Sequence, residues 1–271
     1  DRDAKSWVGQ REREAVEALT GHKSSEAVET MMEVHVVGLS HHKATVSVRE
    51  KLSVAEPNWN EYAQELMEFG RTPQGYVISE VAVLSTCNRF ELYFASPELK
   101  KFAAIECVHA FLRHKSGLPR EELEQYLFTH SGPRDPATQH LFEVSSGLDS
   151  LVLGEAQILA QVKACHEHCI EKASTEEGAE VVAGSGGKIV SKMLNAGIRM
   201  GKLVRTRTKI GKGSVSVSSA AVELWMSRCM RDLSKQAASA KVCVLGAGKM
   251  SRTRSWRSRC SASSRRSSSP S

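Results

Sequence analysis

The chain of 271 residues has no apolar run of membrane-spanning length, and no secretory h-region opens it. That excludes a helical membrane span and a signal peptide within the sequence. Its seven cysteines are odd in number and irregularly spaced, which excludes a disulfide framework and implies reduced thiols. Residues 251–271 contain no acid. Their six arginines account for the whole net charge of +6, so residues 1–250 carry none. Bulk basicity therefore says nothing about the partners of the folded part. What remains is ordinary for a globular protein: 41% hydrophobic and 25% charged residues, and enough length to bury a core in one or two domains.

Residues 1–32 are polar, begin without Met and carry a helical stretch near 10–19; they read as a leader remnant or flexible arm. Residues 34–39 read as a short strand, and Ser40, His41, His42 and Lys43 as a loop. Helical periods are expected over 57–69, 97–114, 120–126, 136–144, 154–172, 188–207 and 214–231. Residues 174–187, rich in Gly, Ser and Glu, read as a loop. Residues 241–248 read as a strand running into a glycine turn, with Gly246 and Gly248 spaced as in a dinucleotide-binding unit and Ser251 where a third glycine would fall. Such a unit needs about thirty residues for one βαβ, and a Ser/Arg tail begins instead. The tail, 251–271, is expected to be disordered. It reads either as an RNA-binding or phosphorylated Arg/Ser segment or as the product of a shifted reading frame, and the strand left without its domain favours the second.

The richest segment is Ser85-Thr86-Cys87-Asn88-Arg89. It closes an apolar run over 77–84 and precedes another over 90–94, so a thiol, an amide and a guanidinium meet where a strand ends. A thiolate there is a candidate nucleophile, and Arg89 can hold a carboxylate in two-point contact. The plain alternative is a buried structural cysteine. Cys165-His166-Glu167-His168-Cys169 suggests zinc, but on a helix only Cys165 and Cys169 share a face and no second ligand pair follows, so no metal is expected. Lys192, Arg199, Lys202, Arg205, Arg207, Lys209 and Lys212 form a basic segment, read as phosphate contacts or as a solvated face.

Several ordered segments resemble the glutamyl-tRNA reductase family, with a likeness to its plastid members. Gly38-Leu39-Ser40-His41 with residues 46–51 resembles the family's first strand and loop; residues 84–93 resemble its nucleophile segment, 140–163 come close to a signature, 197–208 and 213–224 resemble a linker helix, and 244–250 the entry to an NADPH domain. Thr45 stands where the family usually has Pro, and the loop at 174–187 is lengthened.

The resemblance implies a mixed α/β catalytic domain over 33–187, a helical spine over 188–240, and the first strand of a Rossmann-type NADPH domain over 241–250. It implies that Cys87 attacks the ester of glutamyl-tRNA and that NADPH reduces the thioester to glutamate-1-semialdehyde, the first step of tetrapyrrole synthesis. His140 is implied as the proton shuttle. Thr86, Asn88, Arg89, Ser150, Glu155, Ala156, Gln157 and Gln161 are implied around the substrate, with Glu155 holding its α-ammonium. Gly246, Ala247, Gly248, Lys249, Met250 and Ser251 are implied at NADPH. Without the resemblance, Ser150 and Glu155 read as a helix start and solvated surface.

Implied partners are glutamyl-tRNA, the aminomutase that consumes the semialdehyde, and a second copy through a C-terminal region this sequence lacks; the implied compartment is the plastid stroma. The sequence as written is expected to stop short of hydride transfer. An RNA-binding or regulatory protein acting through the tail is the alternative.

Overall fold

The computed structural model describes residues 31–73, 75–132, 134–170, 184–212, 216–234 and 236. Residues 1–30, most of the 174–187 loop, the strand expected over 241–248 and the Ser/Arg tail lie outside the described residues. In chain order the elements are β1 (Met32–Ser40), α1 (Val46–Leu52), α2 (Trp59–Phe69), β2 (Arg71–Thr72), β3 (Gly75–Tyr76), β4 (Glu80–Ser85) and β5 (Arg89–Pro97). They continue with α3 (Lys101–Ser116), α4 (Arg120–Glu124), β6 (Phe128–His130), α5 (Pro136–Ser146), α6 (Gln157–Ile170), α7 (Lys188–Arg207) and α8 (Val217–Leu233).

The fold is mixed α/β. Four strands form one antiparallel sheet in the order β4-β5-β1-β6. The pleat sends alternate residues of β5 to opposite faces. Phe90, Leu92 and Phe94 face one way and are fully buried; Tyr62 of α2 meets Phe90 edge-on at 5.8 Å and Phe111 of α3 at 5.1 Å. Each such side chain withdrawn from water contributes about 1.5–3 kcal/mol. Arg89, Glu91 and Tyr93 face the other way, toward α5, α6 and α7, and they too are buried.

Register then dictates a glycine. Gly38 of β1 lies opposite Glu91. A Cβ at Gly38 would sit 2.5 Å from the Phe90 carbonyl oxygen and 2.9 Å from Glu91 Cγ, so only a bare backbone leaves room for the carboxylate arm.

The helical layer closes through small residues. In α7, Gly197 abuts Leu141 and Ser145 of α5, and Gly201 abuts Ser145 and Leu159. The Val190, Met193, Leu194 and Ile198 side of α7 enters the same core as the sheet. The first turn of α7 follows Gly187, which has no side chain to cap it. Glu80 of β4 supplies the missing acceptor, taking the N–H groups of Ile189 (2.9 Å) and Val190 (2.7 Å). A carboxylate there also complements the positive end of the helix.

Four local expectations change. Residues 46–51, likened to a loop, are helical, because Val48 and Leu52 at i, i+4 bury one side of α1. The strand expected from Val77 starts at Glu80. The helix expected from Pro97 starts at Lys101, because Pro97 still pairs with Met32 at the end of the ladder, where a missing N–H costs least. The helix expected from Gly154 starts at Gln157, because Gly154 has φ +79° and cannot be helical. Residues 147–156 form a loop instead, with Gly147 at φ +78° and the Gly154 N–H bonded to the Gly147 carbonyl at 2.9 Å.

Candidate active site

Cys87 sits at the tip of the β4–β5 turn, and its side chain is exposed. The buried structural alternative therefore does not apply to it. The turn is held from within by Thr86. Its hydroxyl oxygen accepts the N–H groups of Asn88 and Arg89, each at 3.2 Å, and its N–H donates to the Arg89 carbonyl at 2.8 Å. From outside, the His41 N–H donates to the Asn88 carbonyl at 2.8 Å. Arg49 of α1 bridges two loops, donating from Nε to the Cys87 carbonyl at 3.1 Å and from its terminal nitrogen to the Ala44 carbonyl at 2.5 Å. The backbone under the thiol is thus fixed on several sides while the sulfur stays open.

Around it lies a small open cleft. Thr86, Cys87, Asn88 and Arg89 line one wall; Ser150 and Glu155 come from the 147–156 loop, and Gln157, Ile158 and Gln161 from α6. Residues more than sixty positions apart in sequence meet here. Ala156 lies between two lining residues but does not itself line the cleft. Partial burial pushes the Glu155 carboxyl above its usual range.

Arg89 is engaged differently from a free clamp. It is 1% exposed. Its guanidinium donates to Glu91 Oε1 at 2.7 Å, to Asp149 Oδ2 at 2.9 Å and to the Asp149 carbonyl. The physical reason is the pleat, which places Glu91 two residues on and on the same face. Glu91 is wholly buried and also accepts from Tyr93 Oη at 2.7 Å, and it pairs with His140 Nε2 at 2.9 Å. Burial alone would raise the Glu91 pKa, but the Arg89 charge and the His140 and Tyr93 contacts outweigh it and hold it at about 2. Asp149 behaves likewise: burial opposes its charge, and Arg89 and His42 overcome that and lower it. His42 Nε2 meets Asp149 Oδ1 at 2.5 Å.

His140 is therefore not in the Cys87 cleft. It lies beyond the Arg89–Glu91 pair, lining a second cleft with His42, His130 and Asp149. Glu91 and Asp149 do not stand out as site residues in the sequence. The usable signal for Glu91 was the Arg-x-Glu-x-Tyr alternation in an apolar strand.

These pairs set an acid limit on stability. The Glu91 pKa is lower in the fold than its ordinary 4.5, so its contribution is complete above that value and is lost as pH falls toward 2. The shift corresponds to roughly 3 kcal/mol. His35, buried between Ser96 and Ser131 hydroxyls, is lowered from 6.5 to about 4 by burial and by Lys101, so its contribution declines from pH 6.5 downward. The thermal midpoint is expected to fall from about pH 6.5 and more steeply below pH 4.5. A midpoint unchanged between pH 7 and 4 contradicts this.

One member of the basic segment turns inward. Arg205 of α7 donates to the carbonyls of Gly154 (2.8 Å) and Glu155 (2.5 Å), tying the cleft loop to the helix. Arg205→Ala is expected to leave those carbonyls unpaired, cost about 1–3 kcal/mol, and weaken function at the cleft. Arg205→Lys can restore one bond but not the fork. Thermal midpoints of the two variants beside the parent check the ranking.

The Cys165–Cys169 run offers no ligand cluster. Both sulfurs are buried, His166 turns to Ser191 Oγ at 3.0 Å, and His168 packs on Trp59. Among the described residues, no three His, Cys, Asp or Glu side chains form a metal site.

Residues 37–208 match the family described as Glutamyl-tRNAGlu reductase, N-terminal domain. The chain is 44% identical over 218 residues to glutamyl-tRNA reductase 1, chloroplastic, of Hordeum vulgare, covering 80% of this chain and 37% of that protein. It is 42% identical over 221 residues to the glutamyl-tRNA reductase of Picosynechococcus sp., covering 82% of this chain and 46% of that one. Among solved structures it resembles the glutamyl-tRNA reductase from Methanopyrus kandleri, with a TM-score of 0.50 and 27% identity over 73% of this chain and 40% of that one. The chain thus spans less than half the length of these relatives. The matched segment runs from β1 through α7 and contains both walls of the Cys87 cleft, and on that match the chain belongs to the glutamyl-tRNA reductase family, a family of enzymes.

Proposed function

We propose that this chain carries the glutamyl-accepting part of an NADPH-dependent glutamyl-tRNA reductase of plastid type. The observation that carries the reading is the exposed Cys87 thiol, held at a strand-end turn and facing Ser150, Glu155, Gln157 and Gln161 across one cleft. The Cys87 thiolate attacks the ester carbonyl joining glutamate to the RNA 3′ end. A carbon–sulfur bond forms, the carbon–oxygen bond to ribose breaks, and the ribose oxygen takes up a proton. Glu155, whose carboxylate is partly desolvated, gains a counter-charge when the substrate α-ammonium enters. Ser150, Gln157 and Gln161 offer hydrogen bonds to the rest of the glutamyl group. Asn88 shapes the mouth, and Thr86 acts through the turn it closes. Arg89, its charge met by Glu91 and Asp149, forms part of the cleft wall and anchors Asp149. His140, in contact with Glu91, stands on the side away from the thiol, where the ribose departs, as the group that passes a proton to its oxygen.

NADPH, when bound, supplies the hydride that converts a thioester to an aldehyde; the residues proposed to hold it, Gly246 to Ser251, lie outside the described residues. The chloroplastic relatives support the plastid assignment.

The test is intact-mass and peptide analysis after mixing the protein with glutamyl-tRNA at neutral pH without reductant. One glutamyl group on the Cys87 peptide is expected. No adduct there, or an adduct that persists in Cys87→Ser, overturns the reading.

A further inference from the structure

We propose that Arg49 and His42 are positioning residues that set the gap between Cys87 and the opposite wall of its cleft; this deepens the reading above and rests on it. Neither residue lines that cleft. Between them they hold the two parts of the fold that do. Arg49 of α1 donates from Nε to the Cys87 carbonyl at 3.1 Å and from a terminal nitrogen to the Ala44 carbonyl at 2.5 Å, so it ties the nucleophile turn to residues 41–45. The His41 N–H, bonded to the Asn88 carbonyl at 2.8 Å, ties them a second time. In the same segment His42 Nε2 meets Asp149 Oδ1 at 2.5 Å. Asp149 immediately precedes Ser150, which lines the cleft opposite the turn. Residues 41–49 thus form a strap between the two walls.

A strap transmits position only if it is stiff. The Ser40 carbonyl accepts the N–H groups of Lys43 (3.3 Å) and Ala44 (3.0 Å), and the Ser40 hydroxyl accepts that of His42 at 3.4 Å. Ala44, Val48 and Leu52 are buried and anchor the strap in the core. The planar guanidinium of Arg49 suits two acceptors held in fixed directions, where an ammonium meets one. Arg89 already ties Asp149 to β5 from the buried side. That tie ends at the root of the turn, whereas the strap reaches its tip, where the thiol stands.

The chemistry gives the gap its importance. Attack on the ester needs the reacting atoms about 3–3.5 Å apart, and a misplacement of about 1 Å costs on the order of a hundredfold in rate. The glutamyl group is held from the far wall, so the distance between the walls sets that approach. A small electrophile that reaches an exposed thiol freely is under no such constraint.

Arg49→Ala, Arg49→Lys, His42→Ala and the Arg49→Ala/His42→Ala double variant are compared with the parent in single-turnover transfer from glutamyl-tRNA. Alkylation of Cys87 by iodoacetamide and a melting curve are measured beside it. Arg49→Ala is expected to slow transfer at saturating RNA by about ten- to a hundredfold, and His42→Ala by at least about fivefold. The half-saturating RNA concentration and the alkylation rate stay within about threefold of the parent. Arg49→Lys recovers part of the rate. The two links act in series, so the double variant is expected to stay within about threefold of the slower single variant instead of showing the product of the two losses. An arginine that only stabilises the fold lowers the melting midpoint and leaves transfer by the folded protein unchanged; that result overturns the proposal. So does an alkylation rate that falls in step with transfer, which places the effect on the sulfur itself, and so do losses that multiply in the double variant. A parent that accepts no glutamyl group sinks the reductase reading and this inference together, whereas a parent that accepts it and variants that match the parent sink this inference alone.

Discussion

Cys87→Ser is expected to abolish the glutamyl adduct and to lower aldehyde formation in a full-length family member carrying the same change by on the order of a thousandfold or more. A serine hydroxyl is almost wholly protonated at neutral pH, and it needs a positioned base to attack. Among the described residues, no imidazole or carboxylate hydrogen-bonds the Cys87 side chain. Its partners hold its backbone instead, through Arg49 and the Thr86 turn. The oxygen therefore inherits the position without the reactivity. Because the side chain is exposed, the thermal midpoint is expected to change by no more than about 0.5 kcal/mol in equivalent stability. Single-turnover transfer from glutamyl-tRNA, followed beside a melting curve, checks both parts. Residual transfer within tenfold of the parent would mean that the thiol is not the acceptor.

Arg89→Ala carries the second large effect, and it falls on stability. The guanidinium is buried inside the sheet–helix layer, and it faces two carboxylates, Glu91 and Asp149. Its removal leaves Glu91, 0% exposed, with a negative charge and only Tyr93 and His140 as partners. Breaking one side of a buried pair costs about 3–5 kcal/mol, a large share of a typical stability of about 5–15 kcal/mol. A thermal midpoint lower by roughly 10 °C follows for a chain of this size. The companion Arg89→Met with Glu91→Gln removes both charges and should recover much of the loss, because the penalty belongs to the unpaired ion and not to the missing contact. Equal destabilisation of the single and double variants would show that packing, and not charge, sets the cost.

The two variants separate what was legible from what was not. The importance of Cys87 could be read locally, because a thiol between two apolar runs is a strand-end feature whatever the rest of the chain does. The role of Arg89 could not. In sequence it stands beside the thiol and looks available to a substrate carboxylate. In the fold its side chain points with Glu91 and Tyr93 into the helical layer, where Asp149 meets it from sixty residues away. The same distance effect moved His140. Its place on α5 was foreseeable from the helical period, but which cleft it lines depends on β6, a three-residue strand too short to announce itself, and on the pairing of that strand with β1. Arg205 had the look of one more surface cation, and only the packing of α7 on α5 and α6 turns it toward the Gly154 and Glu155 carbonyls. Helix starts at 97 and 154 were placed early for the converse reason. Local periodicity continued through Pro97 and Gly154, while a ladder partner at Met32 and a positive φ excluded both from the helix.

Sequence alone determined the extents of α2 and α7 to within a few residues and the place of a thiol where a strand ends, because alternation and helical period are properties of neighbours along the chain; the mixed α/β class and the segments around the Cys87 cleft came from the resemblance to a family and not from local pattern. Tertiary structure alone decided the buried charge network of Arg89, Glu91, Asp149 and His140 and the division into two clefts. Those depend on register and helix packing, where a shift of one residue along a strand reverses which face a side chain occupies.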